Sequence, residues 1–481
     1  MYSKKLTGAL CALLTTACAA APISDDLARA AGAGFLAKST VAARVLPGRS
    51  VAAVQARGSL WIVALAPSGY IEIAGSTKCT PILSFSPQDF AEPEVDSPFA
   101  AKLTGDSTMV ETKEADESLE DNPSWAKYTA PAAKKRTLLA APAGTTSVVG
   151  PLMNVGWGQG APFNDLSPLS SLCGCMATAA GQEHRYWRWP YRYEKSRQGA
   201  HGLRNSLNEY SEHVMRPDGR VPFNYDKVVA YAPNPASTPW ATDKEATYQT
   251  AFLSLWMQSL TGMSYKPGAS GGTQKLCNFA EQYWFEAGPV MSYWRDGYTN
   301  LWNAIKADLD FGSPIQVNSP GHQMVVDGYA IENEGTDSEV HWVNINYGWG
   351  SPEGWVNLLT AVTENTSGGR LADFQIGYRP QKIVQFEPVP KVCTSDVTLK
   401  WHLPPCYTNR TTGFALQIAK SGSEPEVRTI TTHEETTAYT VKGLDDKHIF
   451  RVMFANQVSF NNTCDLQQDL YSYFTHYTSV K

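Results

Sequence analysis

The run Leu172-Cys173-Gly174-Cys175-Met176-Ala177-Thr178-Ala179-Ala180-Gly181 limits the fold of this chain more than any other ten residues. Its side chains are small enough for a helix to lie deep against a neighbouring element, and the helical character continues until Pro190 stops it. Cys175 falls at the start of that helix, where free backbone N–H groups and the positive end of the helix dipole favour a thiolate. A buried helix with a sulfur at its mouth needs a second body to lie against, so the chain is expected to build a cleft with Cys175 at its edge. Cys173-Gly174-Cys175 also fits half of a metal site or a redox pair. Zinc needs two further ligands at a familiar spacing, and His184 and Cys277 do not supply one. Cys173 reads as an ordinary residue, buried or disulfide-bonded.

A thiol that attacks an amide needs a base to take its proton and return it to the leaving amine, and a third group to orient that base. His322 lies in Pro320-Gly321-His322-Gln323-Met324-Val325-Val326-Asp327-Gly328, at the start of an apolar strand and after a glycine. Asn346 follows 24 residues later in Val343-Asn344-Ile345-Asn346-Tyr347-Gly348-Trp349-Gly350, and two adjacent strands can present both side chains. A lone histidine on an apolar strand is more often a satisfied core residue. Gly321 and the partner Asn346 favour the functional reading. Trp349, Trp355, Tyr248, Phe252 and Trp256 read as core.

Around this region the 481 residues divide into several bodies, in line with a prior of roughly one domain per 150 residues. Lys4 and Lys5, the apolar run Leu6 to Leu14 and the small residues Ala17 to Ala21 form an export leader over 1–21, too short to span a bilayer. Thr15 to Cys18 faintly resembles a lipoprotein cleavage box, with Leu14 one place too early. Residues 22–100 suggest a small α+β unit: an Ala-rich helix from Asp25 to Lys38, then Leu60 to Leu65 and Tyr70 to Ala74 flanking Pro67-Ser68-Gly69 as a hairpin. Residues 101–146, acidic and then rich in Ala, Pro and Lys, read as an exposed linker of the kind proteases cut. From 147 to 382 helices come first (Ala246 to Leu260, Tyr298 to Leu309) and strands later (Gln323 to Val326, His341 to Asn346), which predicts an α+β fold of two subdomains. From 387 to 481, period-two runs such as Val397, Leu399, Trp401 and Phe450, Val452, Phe454 suggest a β-sandwich.

Composition narrows the function classes. With 43% hydrophobic and 18% charged residues the chain is a folding protein, and a net charge of −6 without clustered Lys and Arg argues against nucleic acid as a partner. No stretch after the leader is long and apolar enough for a membrane helix. Of nine cysteines, Cys11 and Cys18 lie in the leader, which leaves an odd seven. In an exported protein an unpaired thiol calls for a reason such as nucleophilic chemistry, although a buried spare cysteine is also common.

Taken together, these residues resemble the streptopain family of papain-fold cysteine peptidases. Gly158-Gln159-Gly160-Ala161-Pro162, Gly174 to Ala179, Gly321 to Gly328 and Asn346 to Gly350 match its marks in order. The 147 residues from Cys175 to His322 also fit the roughly 130–150 of papain-like enzymes. The resemblance implies Cys175 as nucleophile, His322 as general base and acid, Asn346 as the group orienting the imidazole and Gln159 as a side-chain donor to the oxyanion, with no cofactor or metal. A thiolate–imidazolium pair at neutral pH is expected. Tyr347 stands where streptopain has tryptophan, and the segment from Gln159 to Cys175 is shorter than in that family. Leu60 to Leu65, Gly69 to Gly75 and Pro81 to Phe85 resemble its inhibitory prodomain. Residues 22–100 would then be an intramolecular inhibitor, 101–146 an activation linker cut between Lys134 and Gly150, and the C-terminal hundred residues a fibronectin type III-like module outside the match. The implied protein is a secreted zymogen acting on peptides or proteins. Another amide-transfer chemistry on the same scaffold, or an inactive adhesion protein working through its C-terminal sandwich, are the competing readings.

Overall fold

The computed structural model describes residues 23–93, 97–130, 145–187, 243–266, 269–283, 297–350, 354–363 and 370–378, with short stretches, mostly strands, elsewhere. The leader and Cys393, Cys406 and Cys464 lie outside the described residues.

The chain begins with helix α1 (Asp25–Lys38). Ser24 caps it by accepting from the Leu27 N–H, Asp25 and Asp26 occupy the first turn and Lys38 the last, all favourable to the dipole. Ala28, Ala31, Gly32 and Phe35 recur at helical spacing and form its buried face. Helix α2 (Thr40–Val45) follows, capped by Ser39. Strands β1 (Ser50–Arg57), β2 (Leu60–Ala66), β3 (Tyr70–Ala74) and β4 (Ile82–Ser86) pair as an antiparallel meander, with Ala64 opposite Tyr70 across the expected turn.

The expected linker is largely a folded element. Residues within 101–146 form most of helix α3 (Pro98–Ala115) and all of α4 (Ser124–Thr129), while 131–144 lie outside the described residues. Phe99, Leu103, Met109 and Val110 of α3 and Trp125 and Tyr128 of α4 are buried. The acidic composition hid this apolar face because Lys102 and Asp106, on the same inward side, are themselves buried. Strand β5 (Thr145–Val149) then pairs with the strand led by His322, so the later part of the expected cleavage interval is also structured.

The next block is helical first. Helix α5 (Cys175–Trp187) starts at the predicted residue. After the two-residue strands β6 (Arg192–Tyr193) and β7 (Val221–Pro222) comes α6 (Lys244–Leu260), buried along most of its length. A small hairpin, β8 (Ser264–Lys266) with β9 (Ala269–Gly271), precedes α7 (Gln274–Tyr283), β10 (Met291–Tyr293) and α8 (Tyr298–Phe311). Strands follow: β11 (Ile315–Ser319), β12 (His322–Glu334), β13 (Val340–Asn346), β14 (Gly354–Asn357), then α9 (Leu358–Thr363) and β15 (Ala372–Ile376).

One antiparallel sheet unites the N-terminal unit with this block, in the order β1-β2-β3-β4-β14-β13-β12-β11-β15-β10, with β5 on β12. The junction is the β4/β14 pair, Phe85 opposite Trp355 and Ser84 opposite Val356. Apolar side chains gather in three clusters. One surrounds α5 and α6; the other two involve the sheet, one with α3, α8 and α9 and one with α1, α2 and α4, where Phe35 and Phe85 meet Trp342. The fold is thus mixed α+β with an antiparallel sheet. Beyond 385 the described strands form two small sheets. Strands β16 (Gln385–Phe386), β17 (Asp396–His402) and β20 (Ala438–Lys442) run in the order β16-β17-β20; β18 (Phe414–Lys420), β19 (Glu426–Ile430), β21 (His448–Phe454) and β22 (Thr478–Ser479) in the order β19-β18-β21-β22. Among the described residues no helix is long and apolar enough to cross a membrane.

Candidate active site

The small residues of α5 are explained by close approach. A Cβ on Gly181 would lie 2.2 Å from the Trp157 ring, and Ala177, Thr178, Ala179 and Ala180 are all buried. Gly174 turns the chain into the helix with φ of +84°, a left-handed conformation open to glycine, and a Cβ there would meet Met263 at 2.6 Å. Its carbonyl accepts from Thr178 N and Oγ1, both at 3.0 Å, which closes the first turn.

Cys175 is partly exposed and free, at the head of the helix. Burial pushes the thiol above its ordinary range, against the nearby backbone N–H groups of Gln323 and Met176, which favour a thiolate. Cys173 is the ordinary residue: free and buried, its sulfur 3.2 Å from Thr178 Oγ1, its thiol pushed up to about 11 by burial. Gln159 is buried close by, and its carbonyl accepts the Cys173 N–H at 3.1 Å.

His322 opens β12, and its Nε2 lies 2.8 Å from the carbonyl oxygen of Tyr347. A carbonyl only accepts, so this contact puts the proton on Nε2 and leaves the Nδ1 lone pair as the basic site. Burial pushes the imidazole down to about 4, against the Tyr347 hydrogen bond, which favours the charged form. The strand carrying the imidazole packs against the helix carrying the thiol.

Asn346 does sit beside the strand of His322, opposite Val325, but its Nδ2 donates to Val155 O at 2.6 Å and its Oδ1 accepts from Gly348 N at 3.0 Å. The hydrogen bond that fixes the imidazole comes from the following residue's main chain. Burial moves both Cys175 and His322 toward their neutral forms, against the expected thiolate–imidazolium pair. Tyr347 itself is buried, and its ring meets Phe99 of α3 at 5.6 Å between centroids. Sequence reasoning missed Tyr347 because a carbonyl has no residue signature. It also passed over Asp327, buried on β12, whose Oδ1 accepts from Asn344 Nδ2 at 2.8 Å and whose carboxyl is raised to about 7 by burial. Trp355, Phe252 and Trp256 are core as expected, whereas Tyr248 and Trp349 are only half-buried. Among the described residues no cluster suits a metal ion.

Residues 157–355 match the Peptidase C10 family. The thiol protease/hemagglutinin PrtT of Porphyromonas gingivalis is 26% identical over 231 residues, which are 44% of this chain and 24% of that protein, so the chain spans about a quarter of this relative's length. A solved fragment of prointerpain A from Prevotella intermedia aligns over 69% of this chain and 98% of the fragment, at 18% identity and a TM-score of 0.48. These findings support a likeness, carried by residues 157–355, to the Peptidase C10 family, the streptopain family of cysteine peptidases.

Proposed function

We propose that the chain is an exported cysteine endopeptidase made as an inactive precursor, with Cys175 as nucleophile and His322 as its base. The observation that carries this reading is the 2.8 Å contact of His322 Nε2 with the Tyr347 carbonyl, which leaves Nδ1 able to accept a proton on a strand packed against the helix of Cys175.

Sγ of Cys175 attacks the carbonyl carbon of a peptide bond while its proton passes to His322 Nδ1. The electron pair of the C=O moves to oxygen, where the Gln159 side-chain N–H and the Cys175 backbone N–H meet the negative charge. Collapse breaks the C–N bond, and His322 returns the proton to the departing amine. Water, deprotonated by the same imidazole, then releases the acyl group from sulfur. Asn346 supports the imidazole from the neighbouring strand β13, where it also holds the Val155 carbonyl.

Three further readings complete the proposal. The helical cluster around α5 and the sheet bearing His322 form the two halves of a papain-like fold. The N-terminal unit is the inhibitory segment, and it reaches the site through Phe99 against Tyr347. The two C-terminal sheets, of three and four strands, fit a fibronectin type III-like sandwich in number and order. The leader supports export.

The test uses the full chain with casein, with and without an epoxide that alkylates papain-like cysteines. Wild type should shorten itself and degrade casein, while Cys175→Ala and the epoxide-treated protein do neither. Gln159→Ala should retain activity reduced by about 10² to 10³, the usual effect of losing one oxyanion donor. Near-wild-type turnover in Gln159→Ala refutes its role; casein cleavage by Cys175→Ala refutes the mechanism.

A further inference from the structure

Residues 150–158 deliver Gln159 to the site, yet they form no strand and contain only an isolated bridge at Gly156. Their polar groups are nevertheless satisfied at regular intervals by side chains from three different elements. Asp327 of β12 accepts the Met153 N–H on Oδ2 at 3.2 Å, and its own carbonyl accepts the Leu152 N–H at 2.7 Å. Asn346 of β13 donates Nδ2 to the Val155 carbonyl at 2.6 Å. Gln182 of α5 accepts the Trp157 N–H on Oε1 at 3.0 Å, while Gly350 N donates to the Trp157 carbonyl at 3.0 Å. The contacts fall on residues 153, 155 and 157, the two-residue period of an extended chain, so side-chain rungs stand where a neighbouring strand would pair.

We propose that Gln182 is a positioning residue for the oxyanion site, and that with Asp327 and Asn346 it holds the segment that ends in Gln159. The inference rests on the peptidase reading given above. Gln182, Asp327 and Asn346 are 0–2% exposed, so no solvent competes for these bonds and each lost partner strands a buried backbone group. Gln182 stands out because it lies seven residues after Cys175 in one helix. That is two turns, roughly 10 Å along the axis, and on the same face. The helix that presents the nucleophile therefore also sets the position of Trp157, two residues before the oxyanion donor. Trp157 is further fixed by its indole, whose Nε1 donates to Val229 O at 2.8 Å and whose ring covers Gly181. Nucleophile and donor thus share a rigid origin, and their separation does not depend on the far strands closing to the right distance.

The experiment compares wild type, Gln182→Met and Gln182→Glu, each made as the full chain and matured in the same way. Met nearly matches the shape of Gln but offers no acceptor to Trp157; Glu keeps one. Three quantities are read: kcat and KM for a peptide, affinity for a peptide aldehyde, and the rate at which iodoacetamide alkylates Cys175. The aldehyde adds to the thiol as a hemithioacetal whose oxygen occupies the oxyanion position, whereas alkylation does not use that position. Gln182→Met should lower kcat and aldehyde affinity about tenfold or more, as small misplacements of catalytic groups do, with KM within about twofold and alkylation unchanged. Gln182→Glu should recover most of the loss. In a Gln159→Ala background, Gln182→Met should cost nothing further. Equal losses in alkylation and aldehyde binding, or fully additive losses with Gln159→Ala, overturn the proposal. Should Gln182→Met fail to fold, native-state hydrogen exchange of wild type decides: the Trp157 amide should be protected like those of β12, and exchange as fast as an open loop overturns it. Failure of the peptidase reading is separate, because a protein that hydrolyses nothing still reports the exchange result.

Discussion

The His322 imidazole is held by a main-chain oxygen, so the side chain at 347 is released from the chemistry and serves packing instead. This is why tyrosine in place of the family's tryptophan leaves the contact intact: the carbonyl of residue 347 stays 2.8 Å from Nε2, and the ring only needs to fill space against Phe99. Cys175, His322 and Gln159 could be named from the sequence because each is defined by a side chain in a motif. The orienting oxygen was not, since every residue carries one. Protonation was misread for a related reason. The helix start and the neighbouring amides do favour a thiolate, but the sequence does not show how deeply the pair is buried, and burial dominates both shifts. Burial raises the thiol in the full chain, so Cys175 is expected to ionise only as pH climbs beyond the ordinary thiol range near 8.5. Peptide-resolved iodoacetamide labelling of the full chain should accordingly rise only above that pH. A plateau already reached at pH 7 would show the ion pair in the precursor and contradict this geometry.

Elements with strong end signals were readable at their true positions. Helix α1 runs from Asp25 to Lys38 as its caps dictate, and α5 begins at Cys175. Helix α3 was lost because its inward face carries Lys102 and Asp106 among the apolar residues, so composition spoke for solvent where packing put a core. The irregular segment before Gln159 could not be placed at all, since its partners are single side chains from α5, β12 and β13. One prediction belongs to this scale. Gly181→Ala would push a methyl group into Trp157, where an ideal Cβ lies 2.2 Å from the ring. Because neither the buried helix nor the indole has room to give, the substitution should cost about 1–3 kcal/mol, typical of overpacking, as a lower urea midpoint with unchanged slope. An unchanged midpoint would show that Trp157 can move aside.

At the scale of the molecule the N-terminal unit and the following α+β block share one sheet, a pairing that no motif in the sequence signals. The junction links residues 84–85 with 355–356 through only two paired positions. Near it lies a buried charged group. Lys102 bonds Glu72, and reaches Asp106 at 2.8 Å and Ser84 Oγ at 2.9 Å, while burial pushes the Asp106 carboxyl up to about 7 against the pull of Lys102. Lys102→Met would leave two carboxylates in the interior without their cation. It should lower stability by about 3–5 kcal/mol, the usual result of breaking a buried pair from one side, and make the N-terminal unit more susceptible to limited proteolysis. A full chain that melts at the wild-type temperature would show that the charges are not coupled to docking. The shared sheet also separates two events that maturation is usually taken to combine. A single cut between residues 130 and 145 severs the covalent thread but leaves the Phe85/Trp355 ladder and the Phe35, Phe85 and Trp342 contacts in place. A chain nicked there would stay a two-chain complex, its halves still joined by that ladder and those contacts.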